Sequence, residues 1–236
     1  MPSAKVLRVL RAFGLSASIL LLAGACQQFF TFSLAKSLSR PPVTLTSITA
    51  DQAAALVAAK PDQALAASAL GALASLVTAN PSSASIVSDA AQVAVIATGL
   101  DAALTQSLAT VLTSGGTLSS TDIATISALL TTSASNVNAN TTSIFSALAA
   151  QAASNPSALA ASGTSAQTLV VAATAIALSD VLSQGLSIAN VINGTSTYTP
   201  SASVSTTLSN LASGVTAIDP GNALLSTLQS SFNITF

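Results

Sequence analysis

The sequence predicts an all-α protein: an Ala/Ser/Thr-rich helical bundle, or a short helical solenoid of two units. Three observations predict it. Prolines punctuate the chain, and Pro61, Pro81, Pro156, Pro200 and Pro220 each open an apolar-periodic run. Apolar residues recur at helical spacing, as in Leu65, Ala69, Leu73, Leu76 and Val77, and again in Leu100, Leu104, Leu108, Val111 and Leu112. Half of the chain is hydrophobic, with only 3% aromatic and 6% charged residues. A core is therefore feasible, but it has to be built from small groups. Typical soluble domains carry about 25% charged residues.

Residues 1–25 read as a signal peptide. Lys5, Arg8 and Arg11 make a basic start, 15–22 is a short apolar run, and Ala23-Gly24-Ala25 is a small-residue cleavage site. The run is too short to span the bilayer, which takes roughly 20 residues. Cys26 follows directly and is the only cysteine in the chain. Exported proteins usually carry cysteines in pairs, so a single one placed after the cleavage site is expected to carry lipid. The segment 21–26 resembles the lipobox of bacterial lipoproteins, in which the thiol takes a diacylglycerol before cleavage. It departs from that pattern in having Ala23 three places before the cysteine, where Leu is usual, with Leu22 one place further off. An ordinary secretory signal stays open, because Ala-Gly-Ala also fits its site and the same bond between Ala25 and Cys26 is cut.

Residues 26–48 are an anchor linker or arm unlike the rest. Phe29, Phe30 and Phe32 stand close together, and Lys36 and Arg40 are two of the three bases left after cleavage. The order Cys26, then 29–34 (FFTFSL), then Arg40 resembles the start of a group of spirochaete lipoproteins of unknown function. In those, a cysteine is followed closely by an FFTxSL-like segment and an Arg. The resemblance covers residues 26–40 and implies a location, not an activity. The three Phe side chains suit an apolar arm packed on the body, or insertion at the bilayer surface beside the anchor.

Residues 49–236 form the body. Thr49-Ala50-Asp51-Gln52 is a capping-box pattern. Asn80, Asn155, Thr199 and Asp219 stand immediately before prolines and are expected as N-caps, with Pro at the first helical position. Asp51, Asp62, Asp122 and Asp219 fall near helix starts, where the helix dipole favours them. Helices are predicted over 50–59, 62–79, 82–98, 100–113, 121–133, 141–153, 165–189, 201–213 and 220–231, with breaks at Gly99, at 115–116 and at 193–194. The longest apolar run is 169–178, and none in the body reads as a membrane span. Residues 231–236 (SFNITF) resemble the terminal strand signal of outer-membrane barrels. The body lacks aromatic girdles and alternating strands, so a short extended tail is expected there. A candidate repeat pairs 80–154 with 155–236, on the recurrence of Asn80-Pro81-Ser82 as Asn155-Pro156-Ser157.

Charge and side-chain chemistry narrow the function. After cleavage, three bases stand against seven Asp, a net charge of −4, and no base follows Lys60. Phosphate neutralisation needs Lys and Arg, so nucleic acid is excluded as a partner of the body, as is a basic patch on anionic lipid. There is no His and no Glu. A Ser-His-Asp site cannot form, and a zinc site lacks its ligands. The Asp residues are scattered rather than clustered as calcium sites need. No phosphate-loop or dinucleotide motif occurs. No catalytic residue, cofactor or metal is therefore expected, and the chain reads as a non-enzyme. The expected function is that of a membrane-anchored envelope lipoprotein, a structural or binding module whose partner is membrane lipid through acylated Cys26. A protein partner or a homo-oligomer stays open. The alternative is a secreted, unlipidated subunit that self-assembles through its Ala/Ser surfaces. Gln27, next to the lipid site, is compatible with sorting to the outer membrane.

Overall fold

The computed structural model describes residues 47–113 and 119–222, with side chains at all of these but 108–113. Among the described residues there are ten helices and no strand. They are α1 (Ala50–Ala58), α2 (Gln63–Ala79), α3 (Ala84–Thr98), α4 (Leu100–Thr113), α5 (Ser120–Ser135), α6 (Ala139–Ser154), α7 (Pro156–Ala161), α8 (Ala166–Ser183), α9 (Ile188–Ile192) and α10 (Ala202–Ile218). The fold is an all-α bundle. Residues 220–222 of the expected helix over 220–231 form no helix, with a turn at 220–221, and the rest of it and the tail at 231–236 lie outside the described residues.

Side-chain caps set five of the ten described helix starts. Thr49 and Gln52 close the expected capping box on α1. The Asp62 carboxylate accepts from the Leu65 amide at 2.8 Å at the start of α2. Ser119 and Asp122 form a second capping box on α5. Asn138 accepts from the amides of Asn140 and Thr141, and Ser165 from that of Thr168.

Of the four residues expected as N-caps before prolines, Asn155 takes that position and the other three do not. Asn80 ends α2, its side-chain amide donating to the Leu76 carbonyl at 3.0 Å, and the N-cap of α3 is Ser83. Asn155 sits at the N-cap position of α7 and is also the C-cap of α6, but its side chain makes no capping bond to α7. Ser201, not Thr199, starts α10, and Asp219 ends it. The cause is steric. A proline drives the residue before it out of the helical region, so it stops the helix upstream and the cap then follows the proline. Among the described prolines, Pro156 alone takes the first helical position.

Asn80 and Asn155, which open the candidate repeats, share nearly the same backbone conformation (φ −135°, ψ 54° and φ −143°, ψ 56°). Pro81 then leads through a turn into α3, whereas Pro156 begins the short α7 and α8 follows.

Helix α8 is the core element. Its residues 169–178 are all buried, and it packs against α3, α4, α5, α6, α9 and α10. A helix that is apolar all round has to be enclosed on every side. By length and composition α8 is also sufficient to cross a bilayer, with a mean hydropathy of 1.5, and this fold buries 72% of it. The apolar segment is thus longer than the run at 169–178, because Ala166 and Val181 extend it and the intervening Ser and Thr count little against it. Around α8, α2 pairs with α3, α1 covers α3, α4 pairs with α5, and α10 lies on α6 and α8. Gly99, in the left-handed conformation at φ +68°, turns the chain between α3 and α4 by 62°.

Small side chains let these helices approach closely. A Cβ placed on Gly214 of α10 would lie 2.6 Å from the Ala152 Cβ of α6 and 3.1 Å from the Leu169 Cδ1 of α8. The Ala152 methyl sits directly on the helix and cannot swing aside. Overpacking of this kind costs about 1–3 kcal/mol, against a gain of about 1 kcal/mol from replacing a helical Gly by Ala. Gly214→Ala is therefore expected to lower stability despite its better helix propensity. Adding Ala152→Gly should recover part of the loss in chemical denaturation. Stabilisation by Gly214→Ala alone would contradict this packing.

Candidate functional site

Cys26, the expected lipid site, and Ala25, the residue before the expected cut, both lie outside the described residues. Within the body, Asp51, Asp62 and Asp122 stand at helix starts as expected, Asp101 joins them, and Asp219 lies at a helix end instead of the expected start. Asp51 and Asp101 lie in first turns, Asp62 and Asp122 make capping bonds, and Asp219 ends α10. The hydroxyl and amide of Ser119 hold the Asp122 carboxyl below the usual carboxylate range. Asp89, partly buried on α3, is pushed up by burial.

Asp180 is different. It lies in the last turn of α8 and is only 9% exposed. Its Oδ2 accepts from the Tyr198 hydroxyl at 2.9 Å, from Gln184 Nε2 at 3.0 Å and from the Ser201 amide at 3.1 Å. Its Oδ1 accepts from the Ser201 hydroxyl at 3.2 Å. Gln184 Nε2 also donates to the Thr199 carbonyl at 3.1 Å. A buried carboxylate is costly unless it is hydrogen-bonded, and here uncharged donors alone surround it. No sequence motif pointed to this cluster, since Tyr198 and Ser201 are 18 and 21 residues from Asp180. The available signal was an acid at the end of an otherwise apolar helix, followed by the chain's single tyrosine.

Burial first, and then the hydrogen bond and charge of Asp180, raise the Tyr198 hydroxyl well above its ordinary value of 10.0. The sign follows from linkage. The unfolded chain releases this proton near its ordinary value while the folded chain retains it, so stability is full below that pH and falls as pH rises above it. Because the chain has one Tyr and no Trp, near-UV absorbance reads this group alone. Tyrosinate is expected to appear together with the loss of helical circular dichroism. Smooth titration near the ordinary value in protein that remains helical would contradict the assignment.

Other polar side chains also tie one element to another. Thr164 donates to Ser88 Oγ at 2.8 Å, and Ser88 Oγ in turn to the Ser162 carbonyl at 3.2 Å, joining α3 to the loop after α7. Gln167 Nε2 donates to Asp101 at 2.7 Å, linking α8 to α4. Buried Gln151 donates to the Pro81 carbonyl at 2.8 Å, while its Oε1 has no hydrogen-bond partner. No ion pair occurs among the described residues, where Lys60 is the only cation and is exposed.

No family model, curated protein or solved structure matches this chain. Its functional reading rests on its own residues.

An open cleft of about 760 Å3 lies between the start of α2 and the turn from α5 to α6, with Ala64, Ala67 and Leu70 on one wall. Its polar lining is engaged in holding helix ends. Asp62 and Asn138 cap α2 and α6, Gln63 donates to the Ala97 carbonyl, and Asn136 donates to that of Thr98. A smaller cleft of about 300 Å3, between α4 and α5, is lined by Ala103, Leu129, Thr132 and Ser133 among others. Among the described residues no three His, Cys, Asp or Glu side chains converge as a metal site would need. Among the described residues, amide and hydroxyl donors join the helices, with Asp101 accepting across α4 and α8, and Asp180 is an ionisable centre on which the end of α8 and the returning loop meet.

Proposed function

We propose that this chain is an exported envelope protein held to a membrane by acyl chains on Cys26, with the helical body acting as a non-enzymatic structural or binding module. The observation that carries the reading is the placement of the only cysteine, directly after a basic start, a short apolar run and a small-residue triplet. Each buried methylene contributes about 0.8 kcal/mol and one acyl chain anchors only marginally. The two or three chains of a lipoprotein anchor firmly and need no basic patch, which suits a chain with no base after Lys60. Gln27 fits sorting to an outer membrane. The reading of the body as a structural module draws on the polar side chains that serve as caps and cross-links, among them Asn138, Gln151 and Asp180.

Detergent phase separation of cells expressing the full chain tests the proposal. The mature protein should enter the detergent phase. Recovery in the aqueous phase or the medium, with the cut still made before Cys26, would favour the secreted, unlipidated subunit instead.

A further inference from the structure

We propose that residues 184–201 form a strap that opens as a unit, pinned shut by the Asp180 carboxylate, and that the surface of α5 and α8 beneath α9 becomes accessible when it opens. The strap leaves the end of α8 at Gln184, carries the five-residue α9, and returns at Ser201 to begin α10. Isolated helices shorter than about 12 residues are marginal in water, so α9 depends on what it packs against. Its buried residues are Ile188 and Val191, and it lies on α5 and α8. Most of the remainder is exposed, including Gly185, Ser187, Asn190, residues 193–195 and Thr197.

Both ends of the strap converge on one side chain. At the departing end, Gln184 donates to Asp180 Oδ2 and to the Thr199 carbonyl, bridging the two ends of the loop. At the returning end, the Tyr198 hydroxyl and the amide and hydroxyl of Ser201 all donate to the same carboxylate. Hydrogen bonds to a charged acceptor are the stronger kind. Ile188, Val191 and Tyr198 are the buried residues of the strap, with Leu186 and Ile192 partly buried against the core. A short apolar hold, a mostly exposed course and a single carboxylate pin are the marks of a segment that opens locally, below the free energy of global unfolding. The α2–α3 pair makes no contribution to the pin and should stay closed when the strap opens.

Hydrogen exchange read by mass spectrometry on the full chain tests this, comparing wild type with Asp180→Asn. The substitution keeps the shape and removes the charge. Amides of α9 should exchange about tenfold faster or more, while those of α2 and α3 keep their wild-type rates. Unchanged exchange in α9 would overturn the proposal, because Ile188 and Val191 would then suffice to hold the strap. Equal acceleration in α2 and α3 would overturn it as well, because the segment would then open only with the whole bundle. Should Asp180→Asn fail to fold, Tyr198→Phe removes a single donor and should give the same regional pattern at smaller size.

Discussion

Phe145→Ala is expected to lower the stability of the body by about 3–5 kcal/mol, the range for deleting a buried aromatic side chain. Phe145 is fully buried on α6, at 0% exposure, and is among the largest side chains so enclosed. Helix α6 packs against α2, α3, α8 and α10, so the cavity would open where several helices meet. Ala is the most frequent buried apolar residue of the described core, and a short methyl group cannot reach into a hole as a long flexible side chain can. The expected loss is a large share of a total stability that for a domain is typically about 5–15 kcal/mol. Urea denaturation followed by circular dichroism measures it. A loss below about 1 kcal/mol would mean that the site collapses freely, contrary to close packing around Phe145.

The helices were legible because periodicity and capping chemistry act over a few residues. Thr49 with Gln52 and the break at Gly99 could be read directly. The register of caps against prolines was not, because a proline marks a boundary without saying on which side the cap falls. Asn80 shows the consequence, ending a helix where a start was expected, whereas Asn155 both ends α6 and takes the expected N-cap position of α7. The start of α7 at Pro156 was legible, but its six residues and the five of α9 are too few to display a period. The central place of α8 was half visible in its run of apolar residues. The Asp180 cluster was invisible because its partners come from a loop whose path depends on tertiary packing. The proposed anchor is the reverse case: Cys26 and its neighbours are read from the sequence alone and lie outside the described residues.

Cys26→Ser should abolish membrane attachment of the mature chain. The change replaces the sulfur nucleophile that would take the diacylglycerol while leaving Ala23-Gly24-Ala25 intact. The variant should either remain uncleaved, held by its signal segment, or be cut by ordinary signal peptidase and released. Both outcomes remove a cleaved, detergent-partitioning form that wild type is expected to show. The expected effect is large because anchoring scales with methylenes buried, at about 0.8 kcal/mol each. No basic patch after Lys60 is present to substitute for it. A Cys26→Ser chain that is cleaved and still partitions into detergent would place the membrane attachment elsewhere in the molecule.

The most direct test of the lipid anchor is the intact mass of wild-type protein extracted from membranes. The account predicts a chain that begins at Cys26 and carries the added mass of a diacylglycerol, with or without a third acyl chain, all of it on the first residue. A mature chain beginning at an unmodified Cys26 would contradict it.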